Sequence, residues 1–445
     1  MVEPAHSARL RQPTSARRSG GTFVVQPPSW AGPRTLELRS RHRSEAFVER
    51  IEFGIDVPSE VAESQLVALL AAVVGVSYFK LDLPHHFALD GVELTPAGAE
   101  AVRHLYDEGL RECAARNGIA VPVDVEFDLA ETDPSTVARE PGSPRVLVPF
   151  GAGRDSTVTA AALAQLEPHL FTVGRNVHAE AVAAALGLPI TWAERRLDAG
   201  MLARNAAGDG FNGHVPVTAI NSLVSAVVAA ATGATDVVMA NEASASVPTR
   251  VIGGVPVNHQ YSKSVGFERL LAAAIAEAWP GLRYYSVLRP YADHQISRAL
   301  SRLDASVRHR FVSCNRAFVR DAAHRAERWC THCAKCAAVY LALAPWFDPP
   351  ELAGMFGVDM LADPDREGVF RELLVDADKP YECVADVLVA RADLGRLTGQ
   401  PRWASHAVVA ALAPLAGGDA PAPAAEADDA VPGEVRRLLD AALSS

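Results

Sequence analysis

Three groups of residues in this chain have the types and the spacing to do chemistry. The first is Val146-Leu147-Val148-Pro149-Phe150-Gly151-Ala152-Gly153-Arg154-Asp155-Ser156: an apolar run, a small-residue turn, and Asp-Ser opening an Ala-rich helical pattern. Small residues at such a turn let the backbone approach a polyphosphate, and the first amides of the helix then point at it. Ser156 can add a hydroxyl, and Asp155 can cap the helix or help hold a metal. The spacing is not of the Walker type, because no Gly-Lys-Ser/Thr follows four residues after the first glycine. The second group is Cys314, Cys330, Cys333 and Cys336, spaced C-x15-C-x2-C-x2-C. Four thiolates suit a closed tetrahedral zinc site, with His332 or His324 as substitute ligands if Cys314 lies too far away.

The third group is a run of polar side chains that includes Asn241, Glu242, Ser244, His259 and Lys263. Glu242 can hold Mg²⁺ or act as a base, and Lys263 can neutralise a substrate carboxylate or an ATP phosphate. His214 precedes a helical pattern, and Arg289 follows a strand pattern, where it can clamp a carboxylate or phosphate. Cys113 and Cys383 stand apart and read as buried, inert thiols.

The elements that must position these residues alternate. Strand patterns at 145–150, 170–173, 189–193, 235–240 and 284–288 are interleaved with helical patterns at 155–166, 177–186 and 217–232. This predicts an α/β fold with a doubly wound, mainly parallel sheet. Ligands then sit beyond the carboxyl ends of the strands, where Gly151–Ser156, Gly174–Asn176 and Asn241–Ser246 converge. Around this core the patterns predict a tail over 1–45, a mixed α+β domain over 46–140 and a catalytic domain over 141–345. A helical region over 346–416 follows, then a linker and short helix over 417–445. The cysteine cluster precedes a helix beginning near Lys335, so zinc would pin a loop across the crevice.

Composition narrows the function classes. With 445 residues and 49% hydrophobic content the chain can bury real cores. A net charge of −11 argues against a nucleic-acid partner. No apolar stretch is long enough to span a membrane, and the cysteine spacing suits a reducing compartment, so the reading is cytoplasmic.

The phosphate-loop candidate resembles the Ser-Gly-Gly-x-Asp-Ser loop of the PP-loop ATP pyrophosphatases, with Gly151 in place of Ser and Ala152 in place of Gly. In order along the chain, Gly75-Val76-Ser77-Tyr78-Phe79-Lys80, the loop itself, Gly213-His214-Val215-Pro216, Asn241-Glu242-Ala243-Ser244-Ala245 and Val257 to Ser264 resemble the UDP-N-acetylmuramoyl-L-alanyl-L-glutamate epimerase family. So do Leu288-Arg289-Pro290, Trp329 to Cys336 and Lys379 to Val384, and the match covers roughly residues 45–390. The resemblance implies ATP-dependent inversion of the terminal glutamate of a UDP-linked muramoyl dipeptide, with release of AMP and pyrophosphate. It implies ATP and Mg²⁺ at Gly151, Ala152, Gly153, Arg154, Asp155, Ser156, Asn241 and Arg289, with Glu242 or Asp155 on the cation. The base stays open among His214, His259 and Lys263, with Cys383 a remote alternative. The Ala152 methyl is expected near the phosphates. Rival readings are another PP-loop enzyme such as a deazaguanine-forming synthase, an epimerase of another peptide, and a nucleotide-binding scaffold without activity.

Overall fold

Successive side chains of a strand face opposite sides, so apolar residues on both faces mark strands buried between two layers. The computed structural model describes residues 18–134, 143–319, 323, 325–376, 380–382, 384–420 and 430–444. Its strands in the first part of the chain are β1 (Thr22–Val25), β2 (Ser29–Trp30), β3 (Thr35–His42), β4 (Glu45–Phe53), β5 (His86–Leu94) and β6 (Glu126–Glu131). Then come β7 (Val146–Pro149), β8 (His169–Val173), β9 (Ile190–Arg196), β10 (Asp236–Met239), β11 (Arg250–Ile252), β12 (Val255–Val257) and β13 (Arg283–Ser286).

All but the β11–β12 hairpin join one sheet in the order β13-β10-β7-β8-β9-β4-β3-β1-β5-β6, with β2 on β3. From β13 to β9 every neighbouring pair is parallel. Parallel neighbours need crossovers, here carried by the helices Arg154–Ala162, Val177–Leu186, Val217–Thr232 and Val265–Ala278. Three of these four helices have a local reason to begin or stop. Asn176 accepts from the amides of His178 and Ala179, Ser264 accepts from Phe267, and left-handed glycines 187 and 233 end two of them.

The pleat divides the core into two layers. Leu147, Phe171, Val237 and Tyr284 face one layer, built with the helices Gln65–Val74, Pro96–Asp107, Val217–Thr232 and Val265–Ala278. Val148, Leu170, Val238 and Tyr285 face the other, which holds the helices Arg154–Ala162 and Ala334–Leu343 and the carboxyl-terminal helices.

Two expectations need correction. The polar composition of residues 1–45 predicts a tail, yet β1 and β3 lie in the sheet and Phe23, Val25, Leu36 and Leu38 are buried in the core. Burying each such side chain contributes about 1.5–3 kcal/mol, enough to order a segment rich in arginine and serine. Nor do residues 46–140 form a separate layer system: β4 pairs antiparallel with β9, Phe53 opposite Ala193, and one core cluster spans both parts. Among the described residues no helix is long and apolar enough to cross a membrane.

Candidate active site

Strand order reverses between β7 and β10, so the loops leaving their carboxyl ends diverge and open a crevice. A cleft of about 490 Å³ occupies it, lined by Gly151, Gly153, Asp155 and Ser156 after β7, Asn241 after β10, Lys263, and Lys335 from the cysteine segment. The first i→i−4 bond of the helix is Thr157 N to Gly153 O, which leaves the Asp155 and Ser156 amides ahead of it, at the cleft. Gly151 is exposed, and an added Cβ there would meet nothing within 4 Å, so no clash excludes serine. Ala152 differs from expectation. Its φ of 57° is left-handed, and the residue is fully buried in the core, so its methyl packs away from the cleft.

Arg154 lines the cleft as well, with its guanidinium engaged by acidic partners. Its buried guanidinium binds Asp155 Oδ1 at 2.7 Å, both oxygens of Asp293 at 2.6 and 3.0 Å, and Ser297 Oγ at 3.0 Å, with Glu242 Oε2 at 3.5 Å. Arg154 is thus the hub of three carboxylates, and it lines the cleft beside them. Burial first, then the charges of Asp293 and Asp155, push the Glu242 carboxyl up to about 8, against Arg154 and Lys335. Asp293 goes the other way: burial would raise it, but Arg154 bound in bidentate fashion holds it below the ordinary range. Asp155 lines the cleft, whereas Glu242 stands behind it, accepting also from Ser244 Oγ.

Arg289 turns inward too. It donates to both oxygens of buried Glu268, to the Lys263 carbonyl at 2.7 Å and to the Glu242 carbonyl at 3.3 Å. Asn241 donates to Glu268 and to Ser286 Oγ at 2.9 Å. Arg289 is therefore a strut that fixes the backbones bearing Glu242 and Lys263, and no clamp on a ligand.

The histidines gather in a second cluster, outside the residues that line the cleft. Gly213 lies against Cys113, where an added Cβ would come within 3.0 Å of its Cα and Sγ, and this close approach sets His214 beside Glu112. His259 Nδ1 lies 2.5 Å from Glu112 Oε2, and the His214 and His259 ring centroids are 4.3 Å apart. Burial first, then His259, pushes His214 down to about 3; Glu112 opposes this, and Lys263 adds to it. For Glu112 burial acts upward, but the bond to His259 and the charges of His259, His214 and Arg116 keep its carboxyl below the ordinary range. Lys80 braces this cluster, reaching Asn205 Oδ1, the Phe211 carbonyl and Asn212 Oδ1 at 3.3–3.4 Å. Burial pushes the Cys113 thiol up to about 11, with Lys80 opposing, which makes it an inert group.

The four cysteine sulfurs lie within 4.8 Å of one another, with Cys330 and Cys336 3.8 Å apart. The amides of Cys330 and Cys336 donate to the sulfurs of Cys314 and Cys333. His332 is exposed and outside the group, while His324 and Cys383 lie outside the described residues. Glu382 Oε2 accepts from Asn315 Nδ2 and from the Lys335 amide, so this segment and the cluster together hold Asn315 and Lys335 on the cleft wall.

Glu112, Glu268, Asp293 and Lys335 escaped the sequence reading. Each is a single charged residue on a helical pattern, and only Lys335, inside the cysteine spacing, had a signal that marks it.

The family described as MurL N-terminal domain matches residues 22–287, and that described as MurL C-terminal domain matches residues 310–427. Three relatives carry the name UDP-N-acetyl-alpha-D-muramoyl-L-alanyl-L-glutamate epimerase. The protein of Salinispora tropica is 40% identical over 358 residues, covering 78% of this chain and 76% of that one. That of a Micromonospora species is 40% identical over 378 residues, 83% of each chain, and that of Xanthomonas oryzae pv. oryzae 34% over 361 residues, 80% of each. No solved structure matches.

Proposed function

The chain belongs to the MurL epimerase family, and from that premise we propose that it adenylates the terminal L-glutamate of UDP-N-acetylmuramoyl-L-Ala-L-Glu, inverts Cα and releases AMP and pyrophosphate. The observation that carries the chemistry is the shared cleft. Open amides of a phosphate loop line one wall, and Lys263, on the same loop as His259, lines another. The reading places the nucleotide in a PP-loop type of fold, with β7, β8 and β9 on one side of the switch point and β10 and β13 on the other.

A free carboxylate makes the neighbouring Cα–H a very weak acid, since deprotonation sets a second negative charge beside the first. Attack of a carboxylate oxygen on the α-phosphorus of ATP forms a C–O–P link and breaks the bond to the β-phosphate, releasing pyrophosphate. The acyl carbonyl then accepts the electron pair left when a base removes the proton. Reprotonation on the opposite face inverts the centre, and water cleaves the anhydride to AMP. Asp155 suits Mg²⁺: its carboxylate lines the cleft and only Oδ1 is engaged by Arg154. The cation would neutralise phosphate charge beside the loop amides.

The imidazoles act as one base in this scheme. Rings in contact at 4.3 Å leave no room for a carbon between them, so they cannot flank Cα from opposite faces. His259, oriented by Glu112, takes the proton on one side, and Lys263 serves the other. The cysteines fit zinc: tetrahedral thiolates at about 2.3 Å from the ion stand about 3.8 Å apart, as Cys330 and Cys336 do. Zinc would supply a cross-link and no chemistry, and elemental analysis should return one zinc per chain.

The test of the main reading is incubation with Mg-ATP and the dipeptide substrate in D₂O. Pyrophosphate release together with deuterium at the glutamate Cα is expected. Pyrophosphate without deuterium would make the chain an adenylating ligase, and neither signal would overturn the reading.

A further inference from the structure

A second and larger cavity, about 1140 Å³, adjoins the cleft beyond the carboxyl ends of β8 and β9. Its wall is unusual in composition. Eight large apolar side chains are exposed among the described residues, and four of them line this cavity: Val177, Leu202, Val217 and Phe318. Val177 is 72% exposed and Phe318 46%. Apolar side chains collected in one concavity mark a ligand site more than scattered ones do.

Charge is set among them. The Arg175 guanidinium lies 4.1 Å over the Trp192 ring and is held by that contact and by no carboxylate of the described residues. The other lining arginines of β9 are already matched, Arg195 by Glu49 and Arg196 by Glu52. Arg175 therefore keeps its charge for an anion, at the start of the helix Val177–Leu186, whose amide ends favour the same sign. Asn221 and Phe318 line both cavities, and the Asn221 carboxamide oxygen is buried without a hydrogen-bond partner. Asn221 thus sets a polar side chain at the junction of the two cavities.

We propose that this cavity holds the nucleoside diphosphate head of the substrate, with the sugar and peptide passing Asn221 into the cleft. The occupant needs a flat, partly apolar body for Val177 and Phe318 and a diphosphate for Arg175. It must also have a long extension, because the reacting carboxylate has to reach Asp155 and Lys263. The assignment rests on the function proposed above and extends it to substrate recognition.

The experiment measures binding of uridine diphosphate and, separately, of ATP to the full chain by titration calorimetry, in the wild type and in Arg175→Ala and Val177→Asp. Both substitutions are on exposed side chains, and an aspartate suits the first turn of a helix, so folding is kept. Uridine diphosphate affinity should fall about tenfold or more in each variant, the loss of a charge-assisted contact or the gain of a repelling charge. ATP affinity should be unchanged. Unaltered uridine diphosphate binding in the variants, or no binding to the wild type, overturns the proposal. A parallel loss of ATP affinity also overturns it, by giving the cavity to adenosine. The measurement involves no turnover, so a chain that binds uridine diphosphate through these residues but fails to epimerise would defeat only the proposed function.

Discussion

Beside the phosphate loop three carboxylates, Asp155, Glu242 and Asp293, crowd one guanidinium, whereas in the second cluster a single carboxylate, Glu112, serves two imidazoles. The first arrangement carries excess negative charge, and burial with mutual repulsion drives Glu242 up to about 8. It suits a site that awaits a cation and a cationic clamp on phosphate. In the second, His214, pushed down to about 3, is an uncharged acceptor at pH 7, and His259 is oriented through Nδ1. This arrangement suits a site that takes a proton. On the proposed function this difference divides the work, phosphoryl transfer at one group and proton transfer at the other, with Lys263 on the cleft wall.

Substitutions at the two groups should therefore have different signatures. Asp155→Asn should lower both pyrophosphate release and deuterium incorporation by about a thousandfold or more, since nothing can be inverted before it is activated. His259→Ala should lower deuterium incorporation by about 10²–10⁴ while leaving pyrophosphate release within a few fold. If both signals fell together in that variant, the division of labour would be wrong. Glu112→Gln keeps a hydrogen-bonding group but not the charge that supports an imidazolium. Its deuterium incorporation should fall about tenfold to a hundredfold, with Mg-ATP binding unchanged.

The smallest effect concerns stability. His214 is held near 3 in the folded chain against about 6.5 when unfolded, so the unfolded state binds the proton first as pH drops. Stability is complete above about 6.5 and declines as pH falls from there toward 3, by on the order of 1–2 kcal/mol at pH 5. Urea midpoints of His214→Gln should decline less over that window than those of the wild type. Equal slopes would show that His214 is not the group desolvated in this cluster.

The parallel core was legible because its signals are local. The β7 turn, the helix Val217–Thr232 and the cysteine spacing each depend on residues near one another in sequence. β1 was not, because its partners β3 and β5 lie up to some sixty residues away and its flanks are polar. The partners of the arginines were not legible for a related reason. A guanidinium after a phosphate loop or a strand end reads as an anion ligand, and nothing beside it names its carboxylates. For Arg154 and Arg289 these come from Asp293 and Glu268, single residues on helices that no spacing marks.

The pairing of β4 with β9 bears on turnover as well as on folding. A main-chain ladder stitches the amino-terminal strands to the nucleotide half, and one core runs beneath both, so the two halves cannot swing apart as hinged lobes. The strand ends of the two halves are thus held at a fixed spacing by the continuous sheet. On the proposed function, admission of substrate and exclusion of water from the cleft fall to the segment at its rim. This is the stretch from Ser313 to Phe318, secured by the cysteine cluster.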